Sequence, residues 1–291
     1  MHIHNVIAGA VAAPFIMLAL SGVAYAAPVT WTFDSASCVS TTSPSGSCAD
    51  GVFSETRTYQ GTGVGAGTVT VSGWANTIGG NEQLQLGEIT QSATGLGVRN
   101  SDAGGGDADE DTSPELSVDN DGRFDMVLFD FGPYSVTIES LKLGGFTQDS
   151  DISILAYTGN LDPTNSAGAH YLGDREAYWN SNVDSNEDLT TNGWTLIGNH
   201  DVDSGPGIGN DQSVNSGNVS SNYWLISSYI PVFGSNCTPS NSFCQSDYED
   251  YFDILSITGD QQSKAVSEPG TLALLGLGLA CLGLARRKRI T

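Results

Sequence analysis

Phe124-Asp125-Met126-Val127-Leu128-Phe129-Asp130-Phe131 is the stretch on which the fold turns. Successive side chains of a strand point to opposite faces. Here Met126 and Leu128 make one face apolar, and Val127, Phe129 and Phe131 make the other. A strand with two apolar faces belongs in the middle of a sheet that is covered on both sides. Gly132-Pro133-Tyr134 then turns the chain.

Ser135 to Leu143 follows, and its apolar pattern changes phase. Val136 and Ile138 share one parity, whereas Leu141 and Leu143 share the other. One inserted residue near Glu139-Ser140 restores a single apolar face, so a β-bulge is expected there. Further strands are expected at Val29–Phe33, Val52–Tyr59, Thr68–Trp74, Asp151–Tyr157, Trp194–Ile197, Tyr223–Ile230 and Tyr251–Ile257. Asn160–Asn192 and Asn199–Asn222 read as long polar surface loops. Almost no stretch has helical periodicity, and no repeat recurs at a fixed period. The fold class is all-β: a β-sandwich, jelly-roll-like, spanning residues 27–259.

Both termini differ in character from this body. Val6–Leu20 is apolar and leads to Ala24-Tyr25-Ala26, an A-x-A signature that predicts a signal peptide over 1–26 and cleavage before Ala27. Residues 260–266 read as a polar linker. After them, Ser267-Glu268-Pro269-Gly270 precedes an apolar run of 15 residues, Thr271–Ala285, and the basic cluster Arg286-Arg287-Lys288-Arg289. As a helix the run would reach about 22 Å, short of a bilayer core of about 30 Å. It is long enough to pause in a membrane and short for a lasting anchor. The basic cluster stops transfer on the cytoplasmic side by the positive-inside bias. A plain tail anchor is the alternative reading.

The segment 267–291 resembles the PEP-CTERM sorting signal of Gram-negative bacteria: a short turn, a Leu/Gly/Ala-rich span and a terminal Arg cluster. Glu268 and Pro269 match its motif, and Ser267 stands where the family usually has proline. The resemblance implies processing by the membrane protease exosortase, a transient inner-membrane tether through a single C-terminal transmembrane helix, and a mature form at the cell surface or in the extracellular matrix. It also implies company with exopolysaccharide. Residues 95–160, with Leu96-Gly97-Val98-Arg99-Asn100 and Asp149-Ser150-Asp151-Ile152, look like the β-rich ectodomains of exosortase-dependent surface proteins.

Composition narrows the partners. Residues 27–266 hold 32 of the 33 acidic residues and 6 of the 10 basic ones, a net of 26 negative charges. Nucleic acid needs a basic stripe and is excluded as a partner. Multivalent cations, basic partners and neutral polysaccharide stay open.

With an export signal, the cysteines are expected as two local disulfides, Cys38–Cys48 and Cys237–Cys244. Crossed pairings and a zinc site are the alternatives. Each short loop would add about 2–3 kcal/mol.

The acidic, glycine-rich stretch 102–125 is either a solvated loop or a structural Ca²⁺ site, with Glu115, Asp119 and Asn120 as the ligands closest to a strand. Tyr178, Trp179 and Trp194 lie in or beside Asn- and Asp-rich sequence, where exposed rings hold sugars or, alternatively, plug the core. Asp149-Ser150-Asp151 sits at a strand start, where aspartate caps turns. His170 and His200 are the exported histidines, and neither stands in a nucleophile motif. No catalytic residue is named and no enzyme activity is expected. The expected function is a structural or adhesive surface protein. The alternatives are a carbohydrate-binding module and a secreted hydrolase acting on matrix polysaccharide.

Overall fold

The computed structural model describes residues 27–42, 46–76, 83–100, 116–120, 124–148, 150–175, 189–200, 209, 211–230 and 250–263. Within them the strands are β1 (Val29–Thr32), β2 (Cys38–Thr41), β3 (Thr56–Gln60), β4 (Thr68–Asn76), β5 (Leu84–Leu86), β6 (Glu88–Ser92), β7 (Gly95–Arg99) and β8 (Val118–Asp119). They continue as β9 (Asp125–Asp130), β10 (Tyr134–Gln148), β11 (Ile152–Tyr157), β12 (Trp194–His200), β13 (Asp211–Ser213), β14 (Tyr223–Ser228) and β15 (Asp250–Ser263). The only helical pieces among the described residues are two short 3₁₀ turns, Leu172–Asp174 and Thr190–Asn192.

Two antiparallel sheets pack face to face as a sandwich. One runs β12-β11-β14-β9-β4-β3-β2, with β5 on β4. The other runs β13-β10-β15-β7-β6, and β15 also carries β1 and β8. β9 sits in the middle of the first sheet, between β14 and β4, as its two apolar faces require. Val127, Phe129 and Phe131 point between the sheets, where they join Trp31, Phe33, Val71, Ile138, Ile154, Trp224 and Phe252 in one buried cluster. Burying each such side chain contributes about 1.5–3 kcal/mol. Met126 and Leu128 point the other way, into a second cluster with Trp74, Leu155, Trp194 and Leu225.

The cover for that outer face comes from a segment read as a surface loop. Leu172 and Leu189 are fully buried against it. Asn160–Asn192 is therefore not uniformly a solvent loop, because a sheet with apolar residues on its outer face must find something to bury them. Asn199–Asn222 likewise contains β13, which pairs with Ser140–Lys142.

The phase change in β10 is a bulge. Ile138 pairs with Gly259 and Ser140 with Thr258, which leaves Glu139 as the extra residue. Glu139 is exposed, whereas Val136, Ile138, Leu141 and Leu143 all face the core.

Three expectations need correction. Ladder pairing in β3 starts at Thr56, since only Ser54 bridges upstream, to Ile89. The ordered body does not end at residue 259: Asp260–Ser263 pair with Tyr134–Thr137, so four of the seven linker residues are strand. The hairpin of β6 and β7 has no counterpart in the expected strands. The termini 1–26 and 264–291, including the signal peptide, the motif and the basic cluster, lie outside the described residues, as do Cys237 and Cys244. Among the described residues no helix is long and apolar enough to cross a membrane.

Cys38 and Cys48 form the expected disulfide, with Cα atoms 5.8 Å apart. The chain leaving it is held by Arg57, a fully buried cation on β3. The guanidinium donates to the carbonyls of Val52 and Ala49 and to Gln91 Oε1, which also accepts from Tyr59 Oη at 2.7 Å. This network ties β3 of one sheet to β6 of the other.

Asp253 on β15 is 7% exposed and accepts from the hydroxyls of Ser92 and Thr94. Burial raises its pKa above the usual carboxylate value, and the hydroxyl hydrogen bonds only partly offset this. A raised folded pKa means the fold holds the proton more tightly than the unfolded chain does. Its stabilising effect is complete below about pH 4 and is lost as pH rises through the raised value. Asp253→Asn is expected to raise the melting temperature at pH 7 by about 2–4 °C, the equivalent of about 1 kcal/mol. The gain should vanish near pH 3.5 in the same melting series; an equal gain at both pH values would refute the assignment.

Candidate functional site

β11 ends at Tyr157 and β14 begins at Tyr223. Ala156 pairs with Trp224, so the two tyrosines lie side by side at the end of one sheet. Their rings meet edge to face, 6.1 Å apart at 82°. The chain after Tyr157 passes across its ring at Gly159, where a β-carbon would collide with the ring and its hydroxyl. It then turns at Asp162. The result is a cleft of about 250 Å³ lined by Tyr157, Gly159, Asn160, Leu161, Asp162, Asn222 and Tyr223.

Local hydrogen bonds set this shape. Asp162 Oδ1 accepts from the Thr164 N–H at 2.9 Å, from Thr164 Oγ1 at 2.6 Å and from Tyr223 Oη at 3.2 Å. Ser221 Oγ donates to the Tyr157 carbonyl at 2.6 Å, tying the two strand ends together. Asn222 Nδ2 donates to the Gly132 carbonyl at 2.8 Å, which fixes the cleft to the β9–β10 turn.

The electrostatics are those of a negative, hydroxyl-rich surface. Burial raises the Asp162 carboxyl, but the hydrogen bonds from Thr164 and Tyr223 together lower it further, leaving it below the usual range and ionised at neutral pH. Burial, then the charges of Asp130 and Asp162, push the Tyr223 hydroxyl well up, so it stays protonated. Burial also raises Tyr157. The site therefore offers a ring face, hydroxyl and amide donors and a carboxylate acceptor, with no cation among its lining residues.

Of the residues expected to touch sugar, Tyr178 and Trp179 lie outside the described set. Trp194 is 2% exposed, with its ring 5.2 Å from that of Tyr157. A ring so covered has no free face to offer, so Trp194 backs the cleft instead of lining it. The sequence marks Tyr157 and Tyr223 as strand residues, and the aromatic at the end of each strand, beside Asn-rich turns, is the signal that points to the cleft.

The acidic residues gather at the opposite end of the sandwich. Asp119, Asp125, Asp151 and Asp250 are each at most 3% exposed. Asp250 accepts from the Asp151 N–H at 3.0 Å and from Asn120 Nδ2 at 2.6 Å, so it pins three segments. Ser228 Oγ donates to the Asp119 carbonyl at 2.7 Å. Glu115 lies outside the described residues, and among those described no group of three or more His, Cys, Asp or Glu is placed to hold a metal ion. Asp119 pairs with Tyr251 in the β8–β15 ladder, and Asn120 lies just beyond β8. His170 Nδ1 lies 3.3 Å from the Asn192 carbonyl, and His200 Nε2 lies 3.1 Å from that of Val214. Burial lowers the His200 pKa, which keeps its ring neutral at physiological pH. Asp151 directly precedes β11, and Asp149 lies outside the described residues.

Residues 265–289, beyond β15, match the PEP-CTERM protein-sorting motif. No curated protein and no solved structure matches the chain.

Proposed function

We propose that this chain, which carries a PEP-CTERM protein-sorting signal at its C-terminal end, is a non-catalytic adhesive protein that holds polysaccharide in the Tyr157–Tyr223 cleft. The signal implies an exported surface protein processed by exosortase. What the domain does after processing rests on the cleft. The half-buried Tyr223 ring, two asparagines and an aspartate converge at the end of the sheet, backed by the buried ring of Tyr157. Ring faces supply apolar contact, and the amides and carboxylate accept and donate to sugar hydroxyls. The volume is below the about 300–1,000 Å³ of closed small-molecule pockets, consistent with a shallow seat for part of a chain. The charge of Asp162, beside Asp130, opposes uronate-rich polymers. Neutral or amine-bearing polysaccharide is the class that fits.

The test is retention of the exported chain on immobilised neutral, amino-sugar and acidic polysaccharides. Wild type should be retained on one of the first two classes. Tyr223→Ala is expected to weaken that binding about tenfold, the equivalent of about 1.4 kcal/mol. Binding unchanged by Tyr223→Ala, or retention on no glycan, would remove the adhesive reading. Release of reducing ends from any of these polymers would replace it with a hydrolase.

A further inference from the structure

We infer that the sandwich meets its membrane-bound processing protease with one fixed end, and that the four residues between Ser263 and Glu268 set the reach of the cut. The inference rests on the sorting reading above and adds to it the surface that the protease sees.

The last strand is held to its final residue. Ser263 pairs with Tyr134, Gln262 with Ser135, Gln261 with Val136 and Asp260 with Thr137. The Gln261 side chain clamps a neighbouring turn from both sides: its Oε1 accepts from the Gly67 N–H at 2.7 Å, and its Nε2 donates to the Gly65 carbonyl at 3.0 Å. Gly67 itself lies against the Tyr134 ring, where a β-carbon would come within 2.6 Å. Ser263 is therefore the last fixed point among the described residues.

From there Glu268 is five Cα steps away, at most about 18 Å in an extended chain. A body of the size of residues 27–263 has a radius of gyration of about 18 Å and a span of about 45 Å. The tether is shorter than the body is wide, so the body cannot swing its far end round. The end carrying the Gly63–Gly67 and Gly132–Pro133 turns faces the protease. Asn222 joins the tyrosine cleft to that same end through Gly132. The buried carboxylates Asp119, Asp125, Asp151 and Asp250 sit at the other end and face away.

The experiment expresses the full chain with its exosortase and follows cleavage by mass spectrometry. Deleting Lys264–Val266 leaves two Cα steps, about 7 Å, and is expected to slow processing at least tenfold. Replacing the three residues by Gly-Ser-Gly should keep the wild-type rate, because length and not identity matters. Adding Gln261→Ala to the deletion should recover part of the rate by loosening the end of β15. Protection of Cys38 and Cys48 from alkylation verifies that each variant is exported and folded. A photo-crosslinking amino acid at Val64, exposed in the near turn, should capture the protease or lipid, whereas one at Leu86, exposed at the far end, should not. Processing of the deletion at the wild-type rate, or equal capture from Leu86, overturns the inference. A wild-type chain left uncut overturns the sorting reading beneath it, and is recognised because the Gly-Ser-Gly chain is then uncut as well.

Discussion

Trp224→Ala is expected to destabilise the domain by about 4–6 kcal/mol. The indole is fully buried on β14, between β9 and β11. Its Nε1–H donates to the carbonyls of Val136 and Ser221, each at 3.2 Å. Val136 belongs to β10 in the facing sheet, so this side chain fills the core and also bonds one sheet to the other. Truncating a buried aromatic to alanine costs about 3–5 kcal/mol in lost transfer energy and residual cavity. Removing the donor from buried carbonyls adds about 1 kcal/mol. Trp224→Phe separates the two terms, since it keeps most of the volume and loses only the donor; about 1–2 kcal/mol is expected. Urea unfolding of the exported chain measures both. Equal losses for the two variants would show that packing is not the larger part.

Gly95→Ala is expected to cost about 3–5 kcal/mol, although it adds a single methyl group. Gly95 follows the tight turn from β6 to β7 at φ +129°, a region that side chains rarely adopt. Its missing β-carbon would fall 2.5 Å from the Ile254 carbonyl oxygen and 2.8 Å from the Leu255 nitrogen. Both obstacles are backbone of β15, the strand on which four others depend, so neither can swing aside. Strain at the unfavourable φ contributes about 1–3 kcal/mol, and overpacking about 1–3 kcal/mol more. Gly132→Ala provides the contrast. Its φ is +59° with nothing within 4 Å of the added carbon, so only the left-handed conformation, about 1–2 kcal/mol, is penalised. The same unfolding curves decide: a loss at Gly95 no greater than that at Gly132 would mean that β15 yields to the added methyl.

The two faces of β9 were legible because a strand has a period of two and the residues themselves carry the pattern. The bulge at Glu139 was legible for the same reason, since an extra residue shifts the phase of every apolar position after it. The pairing of Cys38 with Cys48 followed from closeness along the chain and an export signal. The β6–β7 hairpin carries no such signal, because Gly95 and Gly97 break the strand pattern. Gly97 is required by tertiary contact: a β-carbon there would run into the backbone at Leu116. Asp260–Ser263 looked like linker because polar residues on an outer strand end have no local signal; their order comes from pairing with Tyr134–Thr137, more than a hundred residues earlier.

The candidate site divides in the same way. Of the rings that the sequence offers for sugar contact, Tyr178 and Trp179 lie outside the described residues and Trp194 is buried. Whether an aromatic is a contact or a plug depends on what covers it, and Trp194 is covered by the segment that closes the second cluster.

Read alone, the amino-acid order established an acidic, all-β body ahead of a sorting signal, since periodicity, charge and the tail motif are properties of neighbours along the chain. Only the folded molecule decided which residues share a surface. Tyr157 and Tyr223 are 66 positions apart, and they meet because the ladder between β11 and β14 sets them in register.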